Sequence, residues 1–236
     1  ITACRGQGIY GTSCTRGTIS GCWIHDTDNW GSVLKVATDI DYLDNHIENV
    51  FTHGLYCDSQ TSAGGSTRIR FIGNTVVNCQ NDATHTDSGV GISCQKASGT
   101  SGVYDVTVIG NYAKNNGAMG FSMTPGSRTS GYLGKMTIQG NHSEGHTANA
   151  GIGYELIASH VTCSGNTAKN NKYHFTAQDS KGLVVQGNKT ISAIGPGQIA
   201  FILTPATNAD WVEDVVFVGN QVEGGIGFQV SSTATT

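Results

Sequence analysis

The sequence of 236 residues has few charged residues, few prolines and no long apolar run. Only 13% of its residues are charged and no basic stripe follows any segment, so we expect no nucleic-acid partner. No stretch of 18 apolar residues occurs, and we therefore expect no membrane insertion. Amphipathic helical stretches are absent, whereas glycine is abundant at 33 residues against 3 prolines. This composition favours an all-β protein.

A six-residue pattern, in which two apolar residues set two apart precede Gly-Asn, recurs along the chain. Six clear copies occupy residues 69–74, 106–111, 136–141, 161–166, 183–188 and 215–220, and weaker ones occupy 17–22 and 40–45. From Asn45 onward the Asn-to-Asn spacings are 29, 37, 30, 25, 22 and 32. A basic repeat length near 22 residues is too short for two packed helices, so we expect a solenoid of short coils with insertions of variable length.

The apolar residues of each copy have a period of two, which is typical of strands. A further strand of the form Gly-apolar-x-apolar follows in most coils, as in Gly54–Cys57, Gly91–Cys94, Gly120–Met123 and Gly151–Tyr154. Three short strands per coil predict a triangular turn. The whole chain, 1–236, is then one β-helix domain of about eight to nine coils, on the order of 40 Å long. Neither end has a polar cap, so we expect an excerpt of a longer protein.

The repeated Gly-Asn is expected at a corner between strands, because a tight bend needs left-handed backbone geometry, which these residues tolerate. Stacked Asn side chains at equivalent corners would hydrogen-bond along the axis. A second Asn column is predicted four residues later, at Asn49, Asn78, Asn115 and Asn170. A single Gly-Asn is typical of a hairpin turn, but six copies in register favour the solenoid.

The seven cysteines show no Cys/His ligand spacing, so we predict no metal site and no cofactor. Cys57, Cys94 and Cys163 fall at inward strand positions, which predicts buried free thiols. The alternative is one or more disulfides among Cys4, Cys14 and Cys22. Reduced core thiols fit folding in a bacterial cytoplasm.

These repeats resemble the coil of the right-handed parallel β-helix superfamily, which includes pectate lyases, polygalacturonases, alginate-modifying enzymes and bacteriophage tailspikes. The resemblance covers about residues 17 to 230 and implies a polysaccharide ligand without implying a reaction. The Asp-Asp, Gly-His-Gly and Asn-Thr-Asp motifs of polygalacturonases are missing, as is the Asp-Pro-His-Glu of alginate epimerases. The segment Cys22–Asp26 resembles the pectate-lyase motif Trp-Ile-Asp-His only by chance.

One predicted outward face, which follows the corner Asn, brings Tyr112, Lys114, His142, Glu144 and Lys169 together on adjacent coils. A His, a Tyr and a Lys can abstract a C5 proton and protonate a leaving oxygen in β-elimination. This is the lyase hypothesis, with His142, Tyr112 and Lys114 as catalytic residues. The alternative is a solvated face with charge pairs between strands.

A second outward face follows the Gly-apolar strands. Its predicted substrate-binding residues are Tyr56, Asp58, Gln95 and Gln178, and its predicted catalytic residue is Glu155. In this alignment Asp58 and Glu155 share a column three coils apart, about 14 Å. That separation exceeds the window for paired carboxylates of glycosidases, so the pair alone is not a glycosidase site.

Three insertions, 79–89, 95–104 and 124–134, are expected beside this second face. Loops on a rigid scaffold commonly carry function, although solenoid loops also vary freely in length. Asp82, His85 and Asp87 are predicted as catalytic, with Asp87 or Asp82 pairing with Glu155 in hydrolysis. Tyr104, Arg128 and Tyr132 are predicted to bind substrate.

We therefore expect binding and cleavage of a bacterial surface polysaccharide, either capsule or lipopolysaccharide, by a glycoside hydrolase or lyase. The resemblance most closely implies a tailspike-like depolymerase, a homotrimer on a virion tail that assembles in the host cytoplasm. A secreted polysaccharide lyase or epimerase and a non-catalytic structural or adhesive β-helix are the alternatives.

Overall fold

The computed structural model describes residues 5–59, 65–80, 89–96, 102–124, 134–146, 151–178, 180–192, 198–204 and 214–230. These residues form 25 strands in three sheets, with no helix among the described residues. Each strand pairs in parallel with the strand three places later in the chain, for example β10 with β13 and β11 with β14. Every turn of the chain therefore adds one strand to each sheet.

The three sheets are named S1, S2 and S3. S1 contains β1 (Ile9–Thr12), β4 (Ser32–Lys35), β7 (His53–Ser59), β10 (Val90–Lys96), β13 (Met119–Thr124), β16 (Ile152–Leu156), β19 (Tyr173–Gln178), β22 (Ile199–Thr204) and β25 (Ile226–Val230). S2 contains β2 (Thr15–Ser20), β5 (Thr38–Leu43), β8 (Ser66–Ile72), β11 (Val103–Ile109), β14 (Met136–Gln139), β17 (Ser159–Ser164), β20 (Lys181–Gln186) and β23 (Val216–Val218). S3 contains β3 (Trp23–Thr27), β6 (His46–Val50), β9 (Thr75–Val77), β12 (Tyr112–Lys114), β15 (His142–Glu144), β18 (Thr167–Lys169), β21 (Lys189–Ile191) and β24 (Gln221–Glu223).

The architecture is a right-handed parallel β-helix of about eight coils, which confirms the predicted fold class. Strands alternate buried and exposed residues, so the core is a column enclosed by the three sheets. Aromatic rings stack along this column: Phe121, Tyr154, Phe175 and Phe201 follow one another with centroid separations of 4.8, 4.6 and 5.1 Å. The rings stack because they occupy equivalent inward positions in successive coils.

The corner between S2 and S3 carries the predicted Asn ladder. Its glycines have left-handed φ angles, for example 64° at Gly110 and 63° at Gly140, which explains why glycine recurs there. Each Asn except the last donates from Nδ2 to Oδ1 of the Asn in the next coil, at 2.9 to 3.0 Å. The ladder comprises Asn45, Asn74, Asn111, Asn141, Asn166, Asn188 and Asn220. The prediction from the repeated Gly-Asn is confirmed.

The corner between S3 and S1 differs in part from the prediction. Asn49, Asn78, Asn115 and Asn170 have φ angles of 51 to 56°, and Asn78 donates to Asn49 at 3.4 Å. The buried ladder at this corner is one residue further on, because a residue in the left-handed region turns its successor inward. The backbone N–H of Cys79 donates to Asn116 Oδ1. The backbone N–H of Asn116 in turn donates to His146 Nδ1, and that of His146 donates to Asn171 Oδ1.

Six cysteines lie in the described residues, and all six are free thiols. Cys57, Cys79, Cys94 and Cys163 are buried in the core, and Cys57 and Cys94 are neighbours in S1, as the strand positions predicted. Burial raises the pKa of Cys57 and of Cys163 to about 12, so these thiols stay protonated. Cys14 and Cys22 form no disulfide, and Cys4 is outside the described residues.

Among the strands and connections that the structure describes, there is no apolar helix of the length needed to cross a membrane.

Candidate functional site

The outward side of S1, here called the S1 face, carries two columns of side chains. Inward residues such as Cys94 and Met123 alternate with outward ones, so residues at equivalent outward positions of successive strands form a column. The first column is Val33, Tyr56, Ser93, Ser122, Glu155, Thr176 and Ile202. The second contains Lys35, Asp58, Gln95, Thr124, Gln178 and Thr204.

This arrangement corrects the predicted alignment of β16. The Gly-apolar pattern aligned Gly151 with Gly120 and put Glu155 in the column of Asp58. In the structure Phe121 pairs with Tyr154 and Ser122 with Glu155, a shift of two residues. The shift lets Tyr154 enter the aromatic stack between Phe121 and Phe175. Glu155 therefore shares its column with Tyr56, and Asp58 lies in the other.

Glu155 is a partly buried carboxyl group of the S1 face. The hydroxyl of Ser122, in the preceding coil, donates to its Oε2 at 2.8 Å. Burial raises the pKa of Glu155 above its ordinary value, although the Ser122 hydrogen bond opposes this. Its neighbours Ser122 and Thr176 are buried even though they point away from the core. Burial of Glu155 and of these neighbours therefore shifts its equilibrium towards the protonated form.

A shallow groove of about 290 Å³ lies next to Glu155, on the last coils of the S1 face. Thr176, the partner of Glu155 in β19, lines it together with Gln178 and Ile202. Its other lining residues are Ile152, Tyr173, Ile199, Thr204 and Gln229. A polymer lying in this groove would run parallel to the helix axis past Glu155.

An aromatic cluster occupies the opposite end of the S1 face. Tyr56 lies 4.8 Å from His53 and 6.0 Å from Trp30 between ring centroids, and Lys35 Nζ lies 5.8 Å from the Trp30 ring centroid. Burial raises the pKa of Tyr56, and the charge and hydrogen bond of Asp58 raise it further. Burial lowers the pKa of His53 to about 4, so this imidazole is neutral at pH 7.

Sequence reasoning missed Trp30 and His53 as members of this cluster. Both precede a glycine of the repeated pattern, Gly31 and Gly54, and the backbone N–H of Gly31 donates to the His53 carbonyl. Their equivalent positions in the repeat would have placed them together with Tyr56.

Five predicted site residues, Asp82, His85, Asp87, Arg128 and Tyr132, lie outside the described residues. Gln95 and Gln178 lie in the second column, as predicted. Tyr104 was expected on an inserted loop, but it belongs to β11 of S2 and pairs with Thr67. The insertion is shorter than predicted because β11 already begins at Val103.

The face of S3 brings together the residues of the lyase hypothesis. The Tyr112 hydroxyl donates to Glu144 Oε2 at 3.0 Å, and the Tyr112 and His142 rings are 5.1 Å apart. Lys169 Nζ contacts Glu144 Oε1 at 3.2 Å, and Lys114 pairs in register with Glu144. Burial and the Glu144 hydrogen bond raise the pKa of Tyr112 to about 12. The cluster exists as predicted, with Tyr112 held in its protonated form.

A larger open pocket of about 810 Å³ lies on S2 and is lined by alternating charges. Arg68 forms a bidentate ion pair with Asp39, and Arg70 forms one with Asp41. Arg16 and Asp105 complete the charged lining, so the three positive and three negative charges balance. A balanced pocket gives no net attraction to a polyanion.

Within the described ranges, no cluster of three or more His, Cys, Asp or Glu side chains has an arrangement that could hold a metal ion.

Comparison with known proteins identifies the fold. The family model for the right-handed β-helix region matches residues 1–130. No curated protein matches the chain. The periplasmic alginate epimerase AlgG has a structure similar to this chain, with a TM-score of 0.58 and 15% identity over 90% of this chain and 50% of that one.

Two further structures are less similar. The Streptococcus pneumoniae surface protein and adhesin PfbA gives a TM-score of 0.48 at 9% identity, over 89% of this chain and 68% of that one. The A-module of the Azotobacter vinelandii mannuronan C-5 epimerase AlgE6 gives 0.44 at 11% identity, over 100% of this chain and 80% of that one. The chain spans about half the length of the AlgG structure, and at these identities the likeness concerns the fold alone.

Proposed function

The chain belongs to the right-handed β-helix family, and we propose that it binds and cleaves a bacterial surface polysaccharide along the S1 face. The observation that carries this proposal is Glu155, whose pKa burial raises and whose partner in β19, Thr176, lines a groove along the helix axis. A carboxyl group whose pKa is raised and that lies beside a groove is suited to general acid catalysis. The fold shared with AlgG, an alginate epimerase by name, supports the ligand class.

In the proposed hydrolysis Glu155 donates its proton to the glycosidic oxygen while the bond between that oxygen and the anomeric carbon breaks. A carboxylate of the insertion 79–89, Asp87 or Asp82, takes a proton from the water that adds to the anomeric carbon. His85 belongs to the same segment and is proposed as a further catalytic residue. Asp58 is too far along the axis, at about 14 Å, to act on the same bond.

The sugars on either side of the cleaved bond are proposed to lie along the two columns. Tyr56, stacked near Trp30, offers an aromatic surface, and Asp58, Gln95 and Gln178 offer hydrogen-bonding groups. Tyr104, Arg128 and Tyr132 are proposed to contact the polymer at the edge of the face.

A second candidate is a lyase or epimerase that acts on the S3 face. The contact between Tyr112 and His142, with Lys114 in the next outward position, favours it. Such an enzyme would abstract the C5 proton of a uronate, and a lyase would leave an unsaturated sugar. A non-catalytic adhesive rod is the remaining alternative.

We further propose that the protein is tailspike-like, a homotrimer of a virion tail that folds in the reducing host cytoplasm. The four buried free thiols support this over a secreted enzyme. Its test is the molecular mass in solution by analytical ultracentrifugation, where a monomer would favour the secreted alternative.

The deciding experiment is mass spectrometry of products after incubation with bacterial capsules, lipopolysaccharides and uronate polymers. Hydrolysis gives hydrated oligosaccharides and elimination gives unsaturated ones, which differ by the mass of one water. Glu155→Gln should abolish hydrolysis and preserve binding of the polymer. Tyr112→Phe should leave hydrolysis intact. Activity lost in Tyr112→Phe and kept in Glu155→Gln would instead identify the S3 site. Intact polymers throughout would favour either the adhesive rod or an epimerase, and proton NMR of the recovered uronate polymers, which detects inversion at C5, would distinguish these two.

A further inference from the structure

One arrangement of three side chains occurs twice on the outward side of S3. In each copy an aromatic residue holds the first outward position of a strand. A His holds the same position in the next strand, and a Glu follows two residues after that His. The first copy is Trp23, His46 and Glu48, and the second is Tyr112, His142 and Glu144.

The first copy fixes an exposed indole in place. Trp23 Nε1 donates to Glu48 Oε1 at 3.2 Å, and the opposite oxygen of Glu48 lies 3.2 Å from His46 Nε2. The Trp23 ring is 4.6 Å from the His25 ring and 6.4 Å from the His46 ring. Despite these contacts Trp23 is 58% exposed. An apolar ring that is both exposed and held by its neighbours loses little conformational entropy when a ligand covers it.

The second copy repeats these contacts with a phenol in place of the indole. The Tyr112 hydroxyl donates to Glu144 Oε2 at 3.0 Å, and His142 Nε2 lies 3.4 Å from the same oxygen. The Tyr112 and His142 ring centroids are 5.1 Å apart. In both copies the Glu therefore orients the aromatic ring and the His packs against it.

The two aromatic residues lie in one column of S3. The register runs from Trp23 through His46 and Thr75 to Tyr112, which is three coil steps or about 14 Å. That distance is too long for one sugar ring and suits two sites on a single extended chain. Two copies so far apart cannot act on one bond, so a role common to both copies is binding to one chain.

We propose that the S3 face is a second glycan-binding surface, on which uncharged sugars of one chain stack against Trp23 and Tyr112. The apolar C–H face of a sugar would cover each ring, and the Glu and His beside it would bind sugar hydroxyls. The carboxylate of Glu48 beside Trp23 disfavours a uronate at that ring, whereas the charge of Glu144 beside Tyr112 is offset by Lys169. This inference takes from the proposed function only that the ligand is a polysaccharide. It does not depend on Glu155, because the S3 surface lies on a different sheet.

The test is affinity electrophoresis of the full chain in native gels cast with galactomannan, glucomannan or dextran, and with alginate as the acidic comparison. The wild type should be retarded in at least one neutral gel. Trp23→Ala and Tyr112→Ala should each weaken that association about tenfold, equivalent to about 1.4 kcal/mol. Trp23→Phe should keep most of it. Gln221→Ala, in the same outward column without a neighbouring ring, should match the wild type.

Retardation in none of the neutral gels would overturn the proposal, as would retardation in alginate alone or retardation that both alanine variants retain. Failure of the proposed cleavage is distinguishable. Glu155→Gln should keep the retardation while losing turnover, and Trp23→Ala should weaken the retardation while cleaving short soluble oligosaccharides at the wild-type rate.

Discussion

Asn111 Nδ2 lies 2.9 Å from Oδ1 of Asn141 in the next coil, and the same oxygen accepts the backbone N–H of Asn111. Asn111 Nδ2 also donates to the carbonyl of Phe71 at 2.8 Å. One buried side chain thus satisfies backbone groups at corners of neighbouring coils, where bends leave them without strand partners. The ladder joins successive coils and fixes their register at the corner.

Replacing Asn111 with Ala should lower the free energy of unfolding by about 3 kcal/mol, because several buried polar groups lose their partners. Urea denaturation measures this loss. Asn220→Ala is the matched control, since Asn220 belongs to the same ladder but is half-buried and water can replace its hydrogen bonds. Equal losses in the two variants would contradict the role of burial.

A column of glycines on S1 allows successive coils to approach closely. A Cβ on Gly91 would lie 2.6 Å from the carbonyl oxygen of Gly120. Gly91→Ala should therefore destabilise the protein by about 1 to 3 kcal/mol through overpacking. In Gly110→Ala only the left-handed φ of 64° is unfavourable, because no atom lies within 4 Å of the added Cβ. A thermal melt should rank Gly91→Ala below Gly110→Ala, and the reverse order would contradict the steric explanation.

The sequence predicted the coil, the three strands and the Asn ladder, because these repeat in every turn and depend on local backbone geometry. It did not predict the register of β16, since Gly151 and Gly153 lie two apart and both fit the glycine position of the pattern. Packing decided between them, through the stack of Tyr154 on Phe121 and Phe175. The role of His146 in the ladder between S3 and S1 was also missed, because its imidazole takes the place of the Asn side-chain amide found in the other coils. Such substitutions depend on tertiary contacts, which the repeat alone does not specify.

Tyr154 is the residue that should be most sensitive to truncation in this stack. It is fully buried between Phe121 and Phe175, and its hydroxyl donates to the Thr167 carbonyl at 3.1 Å. Tyr154→Ala should lower the free energy of unfolding by about 3 to 5 kcal/mol, whereas Tyr154→Phe loses one hydrogen bond and about 1 kcal/mol. Chemical denaturation compares the two. Similar losses would mean that the ring does not bridge the stack.

Buried histidines should make stability depend on pH. Burial lowers the pKa of His146 to about 4, so below pH 6.5 the unfolded chain binds a proton that the folded protein does not. Stability is complete above pH 6.5 and falls as the pH decreases towards 4, with about 2 kcal/mol lost between pH 7 and 5 from this residue. Burial lowers the pKa of His53 and of His174 in the same way, so each adds its own loss.

His146→Asn should reduce this pH dependence while preserving the ladder, because Asn116 and Asn171 hold the equivalent positions. The measurement is the urea midpoint of each protein at pH 7 and pH 5. His160→Asn replaces an exposed imidazole and is the control that should retain the full wild-type dependence. If His146→Asn retained it as well, proton uptake at this site would not explain the acid sensitivity.

Ser122 should control the pH range in which Glu155 acts. Its hydroxyl donates to Glu155 Oε2 and so favours the carboxylate, which opposes the effect of burial on the pKa of Glu155. A general acid is active when protonated, so kcat/KM should decline as the pH rises through this pKa. Ser122→Ala removes the opposing hydrogen bond and raises the pKa further. The alkaline limb of the pH profile should therefore move to higher pH.

Ser93→Ala, in the same column one coil earlier, should leave the limb in place. A limb that stays fixed or moves to lower pH in Ser122→Ala would show that Glu155 is not the acid of the reaction.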